Sequence, residues 1–144
     1  MASSGRPQPD LCGIGEFKCK DGFLGVCLYG VDQNKYFLET IGLGHLWGTE
    51  DIPEDTSGLW LSNPHADEIQ KAFEEYCLAN SKYDIEEDFA AHRIAAQVVN
   101  DMEDLVEEEH LKLRNTWVDW ETVDGETFHG LGVFPKFKNN PGQI

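Results

Sequence analysis

Glu107 and His110 are three residues apart, a spacing with which a helix brings a carboxylate and an imidazole to one face. Glu103 lies one turn earlier on the same side. Carboxylate-bridged di-iron sites use Glu-x-x-His in this way, but they draw on several helices. This chain holds a single such motif, so a homodimer would have to double it, and neither a metal nor another cofactor is expected. Cys12, Cys19, Cys27 and Cys77 contain no C-x₂-C pair, which argues against a zinc knuckle. Buried, reduced thiols are the expectation for them, with a Cys12–Cys19 or Cys19–Cys27 bridge as the competing reading. Nucleophilic and phosphate-binding signatures are missing: there is no Gly-x-Ser-x-Gly, no P-loop lysine and no Gly-x-Gly-x-x-Gly. Pairing Cys27 with one of the five histidines carries no information, because any chain with five histidines offers such a pair.

Carboxylates are the unusual feature. The chain has 27 Asp and Glu against 11 Lys and Arg, a net charge of −16. Residues 50–114 account for −13 of it. Eight of the eleven bases are lysine, so the pattern reads as a localised acidic surface, not a salt-adapted one. Such a charge excludes nucleic acid and anionic lipid as direct partners. Two clusters stand out: Asp84, Glu86, Glu87 and Asp88, then Asp101, Glu103, Asp104, Glu107 and Glu108. With few bases beside them, these nine are expected to bind a basic protein surface and to have no catalytic role. In size and charge the chain resembles the small acidic inhibitors carried by phages and mobile elements. That resemblance implies a viral, anti-defence protein that mimics nucleic-acid charge and blocks a nucleic-acid-binding partner. The second reading is a small enzyme or metal-dependent hydrolase. It would use the 44–62 loop, with His45, Trp47, Glu50, Asp51, Glu54 and Asp55, together with Glu107 and His110.

The elements that position these groups follow from periodicity. At 144 residues and 16.3 kDa the chain is expected to form one domain over 13–135, with a flexible arm at 1–12 and a tail at 136–144. It has no run approaching the ~18 apolar residues of a membrane span and no apolar signal core, so a cytoplasmic location is expected. Ile14–Lys20, Phe23–Val31 and Lys35–Leu43 read as a three-stranded antiparallel meander. Asp21-Gly22 would make its first turn, with Phe17 opposite Val26 and Cys19 opposite Leu24. Phe17, Cys19, Leu24, Val26 and Leu28 then share the core face. Within 44–62, Trp47 and Trp60 read as hydrophobic anchors, and Leu59-Trp60-Leu61 as a short strand.

Asn63 and Pro64 open a helix over Pro64–Ala79, with Ile69, Phe73 and Tyr76 or Cys77 facing inward. A second helix is expected from Asp84, capped with Glu87, to Arg114. Its seam is Ile85, Phe89, His92, Ala96, Val99, Met102, Val106 and Leu113, and at 1.5 Å per residue it would be a rod of about 45 Å. Asn115 would end it. A last hairpin, Trp117–Phe134, would turn at Asp124-Gly125, with Trp120 opposite His129 and Val118 opposite Leu131. The expected fold is α+β: an antiparallel sheet of meander and hairpin packed against two helices, the second long and acidic.

Overall fold

A computed structural model describes residues 11–134 and 136–139. Residues 1–10 of the expected arm, with 135 and 140–144, lie outside the described residues. The fold is α+β, with a three-stranded antiparallel sheet, a two-stranded hairpin and several helices. It divides into two compact units, Met1–Val99 and Asn100–Ile144. Among the described residues no helix is long and apolar enough to cross a membrane.

In the first unit, β1 (Ile14–Cys19) and β2 (Gly22–Cys27) form the expected hairpin, with the pairing slid by two residues. Phe17 faces Leu24 and Cys19 faces Gly22, so Lys20 and Asp21 make the turn. The Asp21 carboxylate explains the slide. It accepts hydrogen bonds from the Lys82 backbone N–H at 2.8 Å and the Ser81 hydroxyl at 2.7 Å, so a tertiary hook fixes the turn. Those two donors also hold the Asp21 carboxyl below its usual value. A slide of two keeps every side chain on its face, and Phe17, Cys19, Leu24, Val26 and Leu28 are all buried.

Lys35–Leu43 is not the third strand. Val31–Thr40 is a helix, α1, in which Asn34, Phe37 and Leu38 are buried at helical spacing. As a strand, the neighbours Phe37 and Leu38 would point to opposite faces and one would be left wet. Ala66–Ala79 forms α2, two residues shorter than expected at its start, and buries Ile69, Phe73 and Cys77. Asn63 still serves the entry, its Oδ1 accepting the His65 N–H at 2.8 Å.

The long acidic helix is broken into separate pieces. α3 covers Lys82–Ala91, capped by Ser81 and not by Asp84. Arg93 then adopts φ 59°, and the chain leaves through a left-handed helix stop. Ile94 N–H bonds Phe89 O at 2.9 Å, Arg93 N–H bonds Ala90 O at 3.1 Å, and Phe89 and Ile94 are both buried. Ala95–Val99 continues as β3 and supplies the missing third strand, with Val98 opposite Leu24 and Ala96 opposite Val26. The sheet order is β1-β2-β3.

Four elements of this unit meet at Phe73. Its ring lies edge-on to Phe17 and Phe37, with centroids 4.5 and 4.9 Å away, and stacks toward Phe89 at 6.1 Å. The 44–62 segment opens with a short 3₁₀ turn at Gly44–Leu46 and is stitched down along its length. Leu46, Ile52 and Leu59 are buried, Gly30 N–H bonds Ser57 O, and the buried Asn34 Nδ2 donates to Thr56 O at 3.0 Å. Trp47 packs on the core, but Trp60 is 56% exposed, so only the first is an anchor. The expected strand at Leu59–Leu61 is one bridge, Leu11 to Trp60. All four cysteines are free thiols, with Cys12, Cys19 and Cys77 buried and Cys27 exposed.

The second unit contains α4 (Met102–Glu107), α5 (Glu109–Leu113), β4 (Trp117–Glu121) and β5 (Thr127–Leu131). Asn115 at φ 49° does end α5, with Thr116 N–H bonding Leu111 O at 3.0 Å. The hairpin pairs Trp120 with Phe128 and Val118 with Gly130, one residue off the expected register. Its loop has three residues, not two: Thr122 N–H bonds Glu126 O, and Gly125 sits at φ 82°. This hairpin is a separate two-stranded sheet, not part of the first. No described residue of the unit is fully buried.

Phe73→Ala should cost about 3–5 kcal/mol, because it empties the point where β1, α1, α2 and α3 meet. Urea unfolding followed by circular dichroism should show this as a lower midpoint with an unchanged slope.

Candidate functional site

Among the described residues β1 has a strand neighbour on one side only. Beside its free edge runs α2, and the space between them is a groove of about 590 Å³. That volume falls in the range of small-molecule and cofactor sites. Ile14, Phe17, Phe23, Leu61 and Leu78 give it apolar walls, of which Phe23, Leu61 and Leu78 are 44%, 43% and 52% exposed. Polar groups are Gln70 and Lys18 with three carboxylates, Glu16, Asp67 and Glu74. One ammonium against three carboxylates disfavours an anion in the groove. The arrangement suits an extended, uncharged ligand that bonds an edge strand through amides and lays apolar atoms on the walls.

Two clusters of titratable groups lie elsewhere in the same unit. The Tyr36 hydroxyl, on α1, donates to both carboxylate oxygens of Asp88 on α3, at 2.7 and 2.9 Å. His92 stacks on the Tyr36 ring with centroids 3.5 Å apart, and its Nδ1 lies 2.9 Å from Asp88 O. Burial, and then the hydrogen bond to Asp88, push the Tyr36 phenol above its usual value. The second cluster has His65 between Asp51 and Glu68, each 3.3 Å from a ring nitrogen. It stands next to a cavity of about 370 Å³ walled by the 44–62 segment, with Asp51, Asp55, Trp60 and Asn63 in its lining. The loop expected to form a pocket wall therefore does form one. His45 is exposed away from that lining and Trp47 turns into the core.

The nine acidic residues singled out in the sequence are divided between the two units. Asp84, Glu86, Glu87 and Asp88 are on α3, where Glu86 accepts hydrogen bonds from Gln97 Nε2 at 2.8 Å and Val98 N–H at 3.0 Å. Asp101 caps α4 in a reciprocal box with Asp104, and Glu108 caps α5 by accepting the Leu111 N–H at 2.7 Å. Glu103 is exposed in the first turn of α4. Glu107 pairs with Lys112, which lowers its carboxyl below the usual value. Glu107 and His110 do not share a helix face: Glu108, at φ −63° and ψ 120°, ends one helix and begins the next. Among the described residues no group of His, Cys, Asp and Glu is placed to hold a metal ion. Tyr36 and His65 were not found from the sequence. Tyr36 and its acceptor are 52 positions apart, and no local pattern marks such a pair.

Comparison with known proteins gives a match over residues 1–144 to the family model described as CoA-transferase family III. A CAIB/BAIF family protein from Brucella suis is similar in structure, with a TM-score of 0.73 at 17% identity over 95% of this chain and 34% of that one. Rv3272 from M. tuberculosis has a TM-score of 0.61 at 12% identity, over 97% of this chain and 37% of that one. At these identities the structural likeness shows the fold. The chain spans about a third of the length of the structures it matches.

Tyr36 gives a test of the α1–α3 contact. A phenol raised in the folded state contributes stability below the unfolded value near pH 10, and this is lost as pH rises through the folded value. The free energy of unfolding should therefore fall above about pH 10, and Tyr36→Phe should remove part of that fall. At pH 7 the same variant should be about 1 kcal/mol less stable in urea, for loss of the bond to Asp88.

Proposed function

Since the chain belongs to CoA-transferase family III, we propose that it is part of an enzyme that moves coenzyme A between carboxylic acids. The observation that carries this reading is the match of the family model to all 144 residues. It overturns the expectation of an acidic, phage-type inhibitor: membership of a transferase family replaces the viral, anti-defence role drawn from size and charge. Of the two readings drawn from the sequence, the enzyme is the better supported. The metal-dependent form built on Glu107 and His110 is not, because the helix is interrupted at Glu108 between them.

The groove between β1 and α2 suits one part of an acyl-CoA. The pantetheine arm is extended and uncharged, with two amides separated by short aliphatic links. A strand edge offers N–H and C=O groups in a row to such amides, and Phe23, Leu61 and Leu78 offer apolar contact. The phosphates of the nucleotide end would meet Glu16, Asp67 and Glu74 if they entered, so in this reading they stay outside the groove.

The reading is tested by incubating the protein with an acyl-CoA and isotopically labelled carboxylic acids, and following labelled acyl-CoA by mass spectrometry. A labelled thioester is the expected product. Gln70→Trp, which fills the groove from α2, should raise KM for the acyl-CoA by about tenfold. Absence of any labelled thioester, with no binding of CoA at millimolar concentration, would overturn it.

A further inference from the structure

The backbone groups of β1 point in two directions. Cys19 and Gly22 close a two-residue turn, and Leu28 N–H bonds Gly13 O at 3.3 Å. In an antiparallel pair every second residue is bonded to the neighbouring strand, so Gly15, Phe17 and Cys19 give their N–H and C=O to β2. Ile14, Glu16, Lys18 and Lys20 turn theirs outward. Lys20 N–H is taken by Asn80 O at 3.1 Å, at the end of α2. Ile14, Glu16 and Lys18 have no such partner among the described residues. All five residues from Ile14 to Lys18 line the groove. Side chains alternate between the faces of a strand, so a consecutive run in one lining means that the groove follows the edge itself.

α2 adds charge beside this edge. Phe17 packs edge-on against Phe73, so α2 covers the face of β1 that carries Phe17. Asp67, Gln70 and Glu74, three and four residues apart, line the groove from one side of that helix. A chain laid along β1 directs alternate side chains toward them. The loop cavity has Asp51 and Asp55, but no named strand borders it. A third cavity, of about 270 Å³ in the second unit, is apolar, with Arg114 and Lys136 in its lining and no carboxylate. Of the three, the groove alone joins unpaired strand backbone to negative charge.

We propose that this edge binds an extended, cationic segment of a partner protein, which adds to the sheet as a strand beside β1. Ile14, Glu16 and Lys18 pair with alternate residues of the segment, and the lysine or arginine side chains between them lie against Asp67 and Glu74. At ~3.4 Å per residue the edge from Ile14 to Lys18 is about 14 Å long, which sets a segment of about five residues. The inference does not rest on the transferase reading, although a peptide and a pantetheine arm exclude each other from the groove.

The test is isothermal titration of the 144-residue chain with the peptide acetyl-Lys-Val-Lys-Val-Lys-amide, joined to amide hydrogen exchange followed by NMR. A net charge of −16 attracts any cation, so the controls keep the charge and change the backbone. With the lysines toward α2, the valine amides face β1. N-methylation of both valines should therefore weaken binding about tenfold or more, and N-methylation of the central lysine should change it less than about twofold. Exchange at Ile14, Glu16 and Lys18 should slow about tenfold in the complex. Asp67→Asn with Glu74→Gln should weaken binding about fivefold, with a thermal melt to show the variant folded. Equal binding of the valine-methylated peptide, or unchanged exchange at those three amides, would sink the proposal. Edge-dependent peptide binding in a chain that makes no labelled acyl-CoA would leave the peptide site standing and remove the transferase reading. Labelled acyl-CoA with a peptide response that ignores valine methylation would do the reverse.

Discussion

The left-handed turn at Arg93 is the constraint from which the architecture of the first unit follows. Placing a side chain other than glycine in that region costs about 1–2 kcal/mol. The stop recovers it locally through two backbone bonds to the last turn of α3 and through burial of Ile94 against Phe89. It also redirects the chain so that Ala95–Val99 lies along β2, where five residues pair in register. β2 is thereby covered on both sides, and among the described strands the edge that stays unpaired on the far side of the sheet is that of β1, where the groove beside α2 lies. Had the helix continued through Arg93, Val98 would have had no strand to face and β2 would have been left open.

Several of the carboxylates in this protein are engaged within the fold. Asp21 fixes a turn, Glu86 bonds the third strand, Asp88 receives Tyr36, and Asp101 and Glu108 start short helices. Carboxylates are favoured at helix starts, where backbone N–H groups are unpaired and the dipole is positive. Asp101 and Glu108 thus have a use inside the fold, and a high count of acids is not by itself a signal of a basic partner. Net charge describes the field around the molecule, and the field does not name the chemistry within it.

Three cavities of one chain differ in what they favour. The groove and the loop cavity are acidic at their edges, while the pocket of the second unit is apolar and carries Arg114 and Lys136. Coenzyme A has a neutral arm and an anionic nucleotide end. In the proposed function the groove's own lining admits the first and turns away the second, and that lining matters more at contact distance than the total of −16, because charges beyond about 10 Å are screened by salt.

Local patterns determined much of this without tertiary help. Alternation set the core faces of β1 and β2, the 3.6 period set α2 with Asn63 at its entry, and Asn115 marked the end of α5. Such features depend on residues within one or two turns, so sequence records them directly. Tertiary structure alone decided the third strand, the hairpin registers and the candidate sites. Arg93 takes a conformation usually left to glycine, and only its surroundings hold it there. The first hairpin obeys Ser81 and Lys82, sixty residues away, in place of its Asp-Gly dipeptide. Tyr36 meets Asp88, and β1 meets α2, through packing between distant segments, whose energies no short stretch of sequence contains.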